Sequence, residues 1–89
     1  MAKADIIKDF NFKAANTRDQ IYEVLFHSGY SSTEISQLTH ISKATFSRLK
    51  KDPELIDKIS KEYKYILKGL YYKRCKELID LIKVMGNKV

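Results

Sequence analysis

The chain has 89 residues, 44% of them hydrophobic and 11% aromatic, with a single cysteine and 17 Lys and Arg against 11 Asp and Glu, a net charge of +6. That is the size of one small domain. No apolar run approaches the ~18 residues of a membrane span, and one cysteine makes no intrachain disulfide, so a reducing, cytoplasmic setting is expected. Lys3, Asp5, Lys8 and Asp9 break up the amino end, which argues against a signal peptide. His27, His40 and Cys75 share no metal-ligand spacing. Charge is unevenly spread: residues 1–41 carry four basic and five acidic residues, and residues 42–89 carry thirteen and six, a net of +7. A basic half suits a polyanion, nucleic acid above all, or is a solvated lysine-rich surface.

Almost everything reads as helix. Residues 1–15 form either an arm or a short helix, with Ile6, Ile7, Phe10 and Phe12 as its apolar contacts. The first secure helix is NTRDQIYEVLFHSG. Thr17 is its expected N-cap with Gln20 completing a capping box, Ile21, Val24 and Leu25 (with Tyr22 as a further candidate) follow helical spacing, and Gly29 supplies a left-handed stop. A second box, Ser31 with Glu34, opens a helix through TEISQLT that buries Ile35 and Leu38. Ser42 caps a third helix over about 43–51. Asp52 then caps a long helix with Pro53 in its first turn, running to about Met85, in which Gly69 marks a kink or a break.

The run STEISQLTHISKATFSRLKK resembles the helix-turn-helix of small DNA-binding regulators of bacteria, phages and plasmids. With the preceding helix the resemblance covers Thr17 to Lys51. The residues agree with it: Ile35 and Leu38 point inward from the second helix, Ile41 plugs the turn, Phe46 and Leu49 point inward from the third, and Ser36 is small at the crossing. Two positions depart from the pattern, His40 where glycine is usual and Ser36 where alanine is usual. The resemblance implies a trihelical core at 16–52, and the helical reading of the remainder makes the fold all-α, with a helical extension at 53–89. It also implies that Lys43, Ala44, Ser47 and Arg48 face base edges, while Ser42, Thr45, Lys50 and Lys51 meet phosphates. Solvated charge is the alternative for each basic residue.

In the last third, Ile59, Tyr63, Ile66 and Leu70 step by helical intervals, and Tyr71, Cys75, Leu78, Ile82 and Met85 do so on a stripe shifted by one residue across Gly69. The first set is expected to pack on the trihelical core. The second is expected to pair with a symmetry mate in a homodimer; a hairpin folding back on its own domain is the alternative. Lys64, Lys68, Lys73, Arg74 and Lys76 interleave with Tyr63, Tyr65, Tyr71 and Tyr72, either as a stacking nucleic-acid surface or as a wet lysine face over packed tyrosines. No nucleophile–base pairing, carboxylate pair, phosphate loop or metal cluster is visible. The expectation is therefore a double-stranded DNA binder that regulates transcription, with no catalysis, cofactor, small-molecule ligand or membrane partner. The alternatives are an accessory protein of replication, partition or conjugative transfer, and a phage module that engages a host protein.

Overall fold

The computed structural model describes residues 8–86, all helix and connecting segments; Ile6 and Ile7 lie outside them. Lys8 and Asp9 are helical, and after Ala14 four α-helices follow in order: α1 (Thr17–Phe26), α2 (Ser32–Thr39), α3 (Lys43–Lys51) and α4 (Lys61–Gly86), with a 3-10 helix at Pro53–Lys58 between the last two.

Local chemistry sets most of the boundaries. Ser31 and Glu34 make the expected reciprocal capping box at α2, Ser42 Oγ accepts from the Ala44 N–H at α3, and Asp52 accepts from the Glu54 N–H ahead of Pro53. Gly29 takes the left-handed conformation, φ 80°. At α1 the cap lies one residue earlier than expected. Asn16 accepts from the Asp19 N–H, and Gln20 is buried, its Nε2 donating to the Ala14 carbonyl and to Tyr72 Oη. Asn caps as well as Thr does, and the tertiary bonds available to Gln20 remove it from any capping box.

The expected helix from Pro53 onward is two elements. The 3-10 helix ends at Lys58, Ile59 is extended, and Ser60 Oγ accepts from the Tyr63 N–H to start α4. α4 then runs unbroken through Gly69, which borders open space. At ~1.5 Å per residue its 26 residues span ~39 Å, most of the 44 Å long dimension of the molecule.

One core serves all of these segments. It joins Phe10 and Ala14 from the arm, Ile21, Val24 and Leu25 from α1, Ile35, Ile41, Phe46 and Leu49 from the next two helices, Ile56 from the 3-10 helix, and Leu67, Leu70, Tyr71 and Leu78 from α4. α4 lies along α1. Its buried residues recur at intervals of three, one and seven, a single stripe in one phase. Tyr63 and Ile66, expected inside, are exposed, because the stripe passes through Leu67 instead. Three of the five residues expected between two copies lie on their own core: Tyr71 and Leu78 are 1% and 2% exposed, and Cys75 is half-buried against it. Leu38 and Tyr22 are exposed as well. α2 buries Ile35 and Thr39, four residues apart, so Leu38 falls off the inward face.

Tyr71 joins the arm to this core. Its hydroxyl donates to the Asn11 carbonyl (2.7 Å) and accepts from the Ala14 N–H (3.1 Å), while its ring stacks on Phe10 with centroids 5.4 Å apart. A second tie runs from α4 to the turn after α1. Arg74 Nε donates to the Ser28 carbonyl at 2.8 Å, its guanidinium lies 4.5 Å from the Tyr30 ring centre, and the Tyr30 hydroxyl donates to Glu77. Burial works to raise the Glu77 carboxyl, but the Tyr30 hydrogen bond, Lys73 and Arg74 outweigh it and hold it below the usual carboxylate range.

Burial, and next the hydrogen bond with Cys75, push the Tyr71 phenol from 10.0 up to about 12; burial and the Glu77 bond do the same for Tyr30. A raised phenol pKa means that folding favours the neutral form. The stabilisation is therefore complete below pH 10 and is lost as pH climbs toward 12. Base titration followed by circular dichroism should show cooperative unfolding in that window, with tyrosinate absorbance rising in step. Tyr71→Phe leaves the Ala14 N–H and the Asn11 carbonyl without that partner and should cost about 1–3 kcal/mol in denaturant unfolding. An unchanged midpoint would refute the bridging role.

Candidate nucleic-acid interface

α2 and α3 meet through a tight turn that is closed by side chains. Thr39 Oγ1 donates to the Ile35 carbonyl and accepts from the Ile41 N–H. Ser36 Oγ donates to the Ile41 carbonyl at 2.6 Å. His40 is left-handed, φ 60° and ψ 20°, and its N–H reaches the Ser36 carbonyl. A non-glycine residue is strained there, though His, with Asn and Asp, adopts this region more readily than most. Ile41 then turns into the core, 4% exposed, and sets the direction in which α3 departs.

α3 is strictly two-sided. Phe46 and Leu49 are 0% and 2% exposed. At ~3.6 residues per turn the opposite side carries Lys43, Ala44, Ser47, Arg48 and Lys51, and all five are exposed. The structure thus brings the four residues expected at base edges onto one open face, with Lys51 beside them. Ser42 is exposed at the amino end of α3, where its hydroxyl is engaged as the cap. Thr45 and Lys50 flank the face and are half-buried. Thr45 lines a shallow groove against the 3-10 helix. Lys50 lines another with Asp9, His27 and Tyr30, on the side of the α1–α2 turn rather than on the open face.

Every charge on the face is positive. α3 has no acidic residue in its first turn and carries Arg48, Lys50 and Lys51 in its last, a placement the helix dipole favours. Among the described residues, none of Lys43, Arg48, Lys50 and Lys51 is in an ion pair. Lys58 was not anticipated here. It lines the same groove as Thr45 and Arg48, because the 3-10 helix folds back against α3, and a continuous helix from Pro53 would have carried it away. The sequence signal for that break is Ser60, a good N-cap ahead of a charged turn.

Side chains at this spacing can make both polar and apolar contacts. An arginine can grip guanine O6 and N7 with two bonds, lysine can reach either atom, and a small apolar residue such as Ala44 can lie against a thymine methyl. No protein-family model, curated protein or solved structure matches this chain, so its chemistry is read from its own residues.

The turn makes a stability prediction. His40→Gly removes the side-chain strain of the left-handed conformation and adds freedom to the unfolded chain. The two nearly cancel, and thermal stability should stay within about 1 kcal/mol of the parent. His40→Val, β-branched at positive φ, should cost more than about 1 kcal/mol. Equal melting temperatures for the Gly and Val variants would mean that this position carries no backbone strain.

Proposed function

We propose that this protein is a sequence-specific double-stranded DNA-binding protein that regulates transcription and has no catalytic activity of its own, with α2 and α3 as a helix-turn-helix. The observation that carries this reading is the two-sided α3, with Phe46 and Leu49 locked in the core and Lys43, Ala44, Ser47 and Arg48 all open to solvent. In this reading α3 enters the major groove. Arg48 and Lys43 donate to guanines, Ala44 and Ser47 fit the neighbouring pairs, and Lys51, Lys58, Ser42, Thr45 and Lys50 meet phosphates on either side.

Binding by gel shift or fluorescence anisotropy on a selected duplex should fall by ~10² or more between 50 and 200 mM salt, as several phosphates release their counterions. Arg48→Ala should cost about 1–3 kcal/mol on the selected site and relax one base position, whereas Lys51→Ala should weaken all duplexes about equally. A flat salt response, or an Arg48→Ala variant with intact site preference, would sink the reading.

One such helix reads about a half-site, so a second copy belongs to the proposal. With Tyr71, Cys75 and Leu78 committed to their own core, the seam moves outward along α4. The buried stripe continues past Leu78 as Leu81, Ile82 and Met85; Ile82 and Met85 are 42% and 45% exposed. Two copies joined there would read an inverted repeat with half-sites ~34 Å apart. Sedimentation across micromolar concentrations should show a dimer that Ile82→Lys converts to a folded monomer with weak, still Arg48-dependent binding. A monomeric parent protein, or an Ile82→Lys variant that remains dimeric, would refute this seam.

A further inference from the structure

α4 carries a second cationic face that the duplex reading does not use. Lys61, Lys64, Tyr65, Lys68, Tyr72 and Lys76 stand at i, i+3, i+4, i+7, i+11 and i+15 of one continuous helix, so they line one side of it, and Lys83 extends the row. Of the helix's acidic residues, Glu62 and Asp80 border this row, Asp80 four residues after Lys76 and three before Lys83, and Glu77 lies away from it. Glu77 is taken up by Lys73 and Arg74 on the other side. No lysine of the row is in an ion pair among the described residues. Lys64 alone is tethered, donating to the Asp57 carbonyl.

The tyrosines make this more than a wet lysine face. Tyr65 is 81% exposed, the highest value of any large apolar side chain among the described residues, and Tyr72 is 54% exposed on the same side, two turns on. Tyr71, its sequence neighbour, is buried, so this helix did have a core position for an aromatic ring and left these two outside it. Gln20 donates to Tyr72 Oη, which anchors that ring beside the start of α1. Lys61, Lys64, Tyr65 and Lys68 line a shallow groove with Thr17.

We propose that this face binds single-stranded nucleic acid, with the phosphate backbone following the lysines and unpaired bases stacking on Tyr65 and Tyr72. The two rings stand ~10.5 Å apart along the helix with Lys68 between them, and the row from Lys61 to Lys83 covers ~33 Å. Alternating cations and exposed aromatic rings is the pattern that holds unpaired strands with little sequence preference. A duplex offers its phosphates but not its base faces, which leaves the tyrosines unexplained. An anionic membrane fits less well. A surface-bound helix must bury an apolar side in the lipid, and as far as Leu78 the apolar side of α4 is packed along α1, away from the lysine row.

The test is fluorescence anisotropy of the full chain with a labelled oligodeoxythymidylate at low salt, alongside the selected duplex and phosphatidylserine vesicles. Three variants are compared: Tyr65→Ala, the triple Lys61→Gln, Lys68→Gln, Lys76→Gln, and Arg48→Ala. Gln matches Lys in helix propensity, and far-UV dichroism checks the fold. The oligonucleotide should bind. Tyr65→Ala should weaken it by roughly 5- to 150-fold, the loss of one stacked base. The triple variant should weaken it further and reduce the salt slope by about two, since each single-strand contact contributes ~0.7. Arg48→Ala should leave it unchanged while weakening the duplex. No binding of the strand, indifference to Tyr65→Ala, an equal loss with Arg48→Ala, or capture of vesicles in place of the strand would each overturn the proposal. Failure of duplex binding alone would strike only at the role of α3.

Discussion

Tyr71 is the side chain through which three parts of the chain are held at once. Its ring is sealed between the arm and α1, and its hydroxyl satisfies one backbone donor and one backbone acceptor of a segment that has no helix or sheet of its own there. Buried backbone groups need such partners. Without α4 in this place, Ile21, Val24 and Leu25 would form one wall of a core lacking its other side, in a chain small enough that one core is all it has. The position of α3 depends on this packing in turn, because Phe46 and Leu49 are seated in the same core.

The consequence for α4 is that its inward face is consumed. Leu67, Leu70, Tyr71 and Leu78 belong to the domain, and what remains for partners is its carboxyl-terminal end and its lysine side. These are different kinds of surface. The end presents exposed Ile and Met beyond the last buried Leu, suited to apolar contact. The lysine side presents charge and aromatic rings without any buried counterpart. α3 makes a third division, with two buried residues on one side and five exposed ones on the other. α3 and α4 thus sort apolar burial from cationic exposure around their own axes, and α3 carries no acidic residue at all.

The joints between helices are closed by side chains. His40 accepts a left-handed conformation, and Ser36 and Thr39 bind the carbonyls and the N–H around it. Arg74 and Tyr30 do the same at the turn after α1, where Gly29 supplies the positive φ and the guanidinium closes on the Ser28 carbonyl. Fixed turns hold the exposed side chains of α3 at set distances from one another.

The amino-acid sequence by itself determined the all-helical character, the caps at Ser31, Ser42 and Asp52, the positive φ at His40 and Gly29, and the spacing that puts Phe46 and Leu49 on one side of α3. Each of these follows from interactions within about four residues, and such interactions are written in residue order. The tertiary structure alone decided the rest. Whether Thr17 or Asn16 caps α1 turned on Gln20 finding partners in Ala14 and Tyr72, one of them far along the chain. Whether Leu38 or Thr39 faced inward turned on how α2 sits against its neighbours. The apolar residues of α4 allowed two phases and two destinations, own core or second copy. The choice of the phase through Leu67 and Tyr71 depended on the shape of α1 and the arm, which periodicity does not contain. The same holds for Lys58, brought beside Arg48 by a 3-10 turn that a continuous helical reading hides. Local hydrogen bonding is legible one turn at a time, whereas burial is a property of the assembled surface.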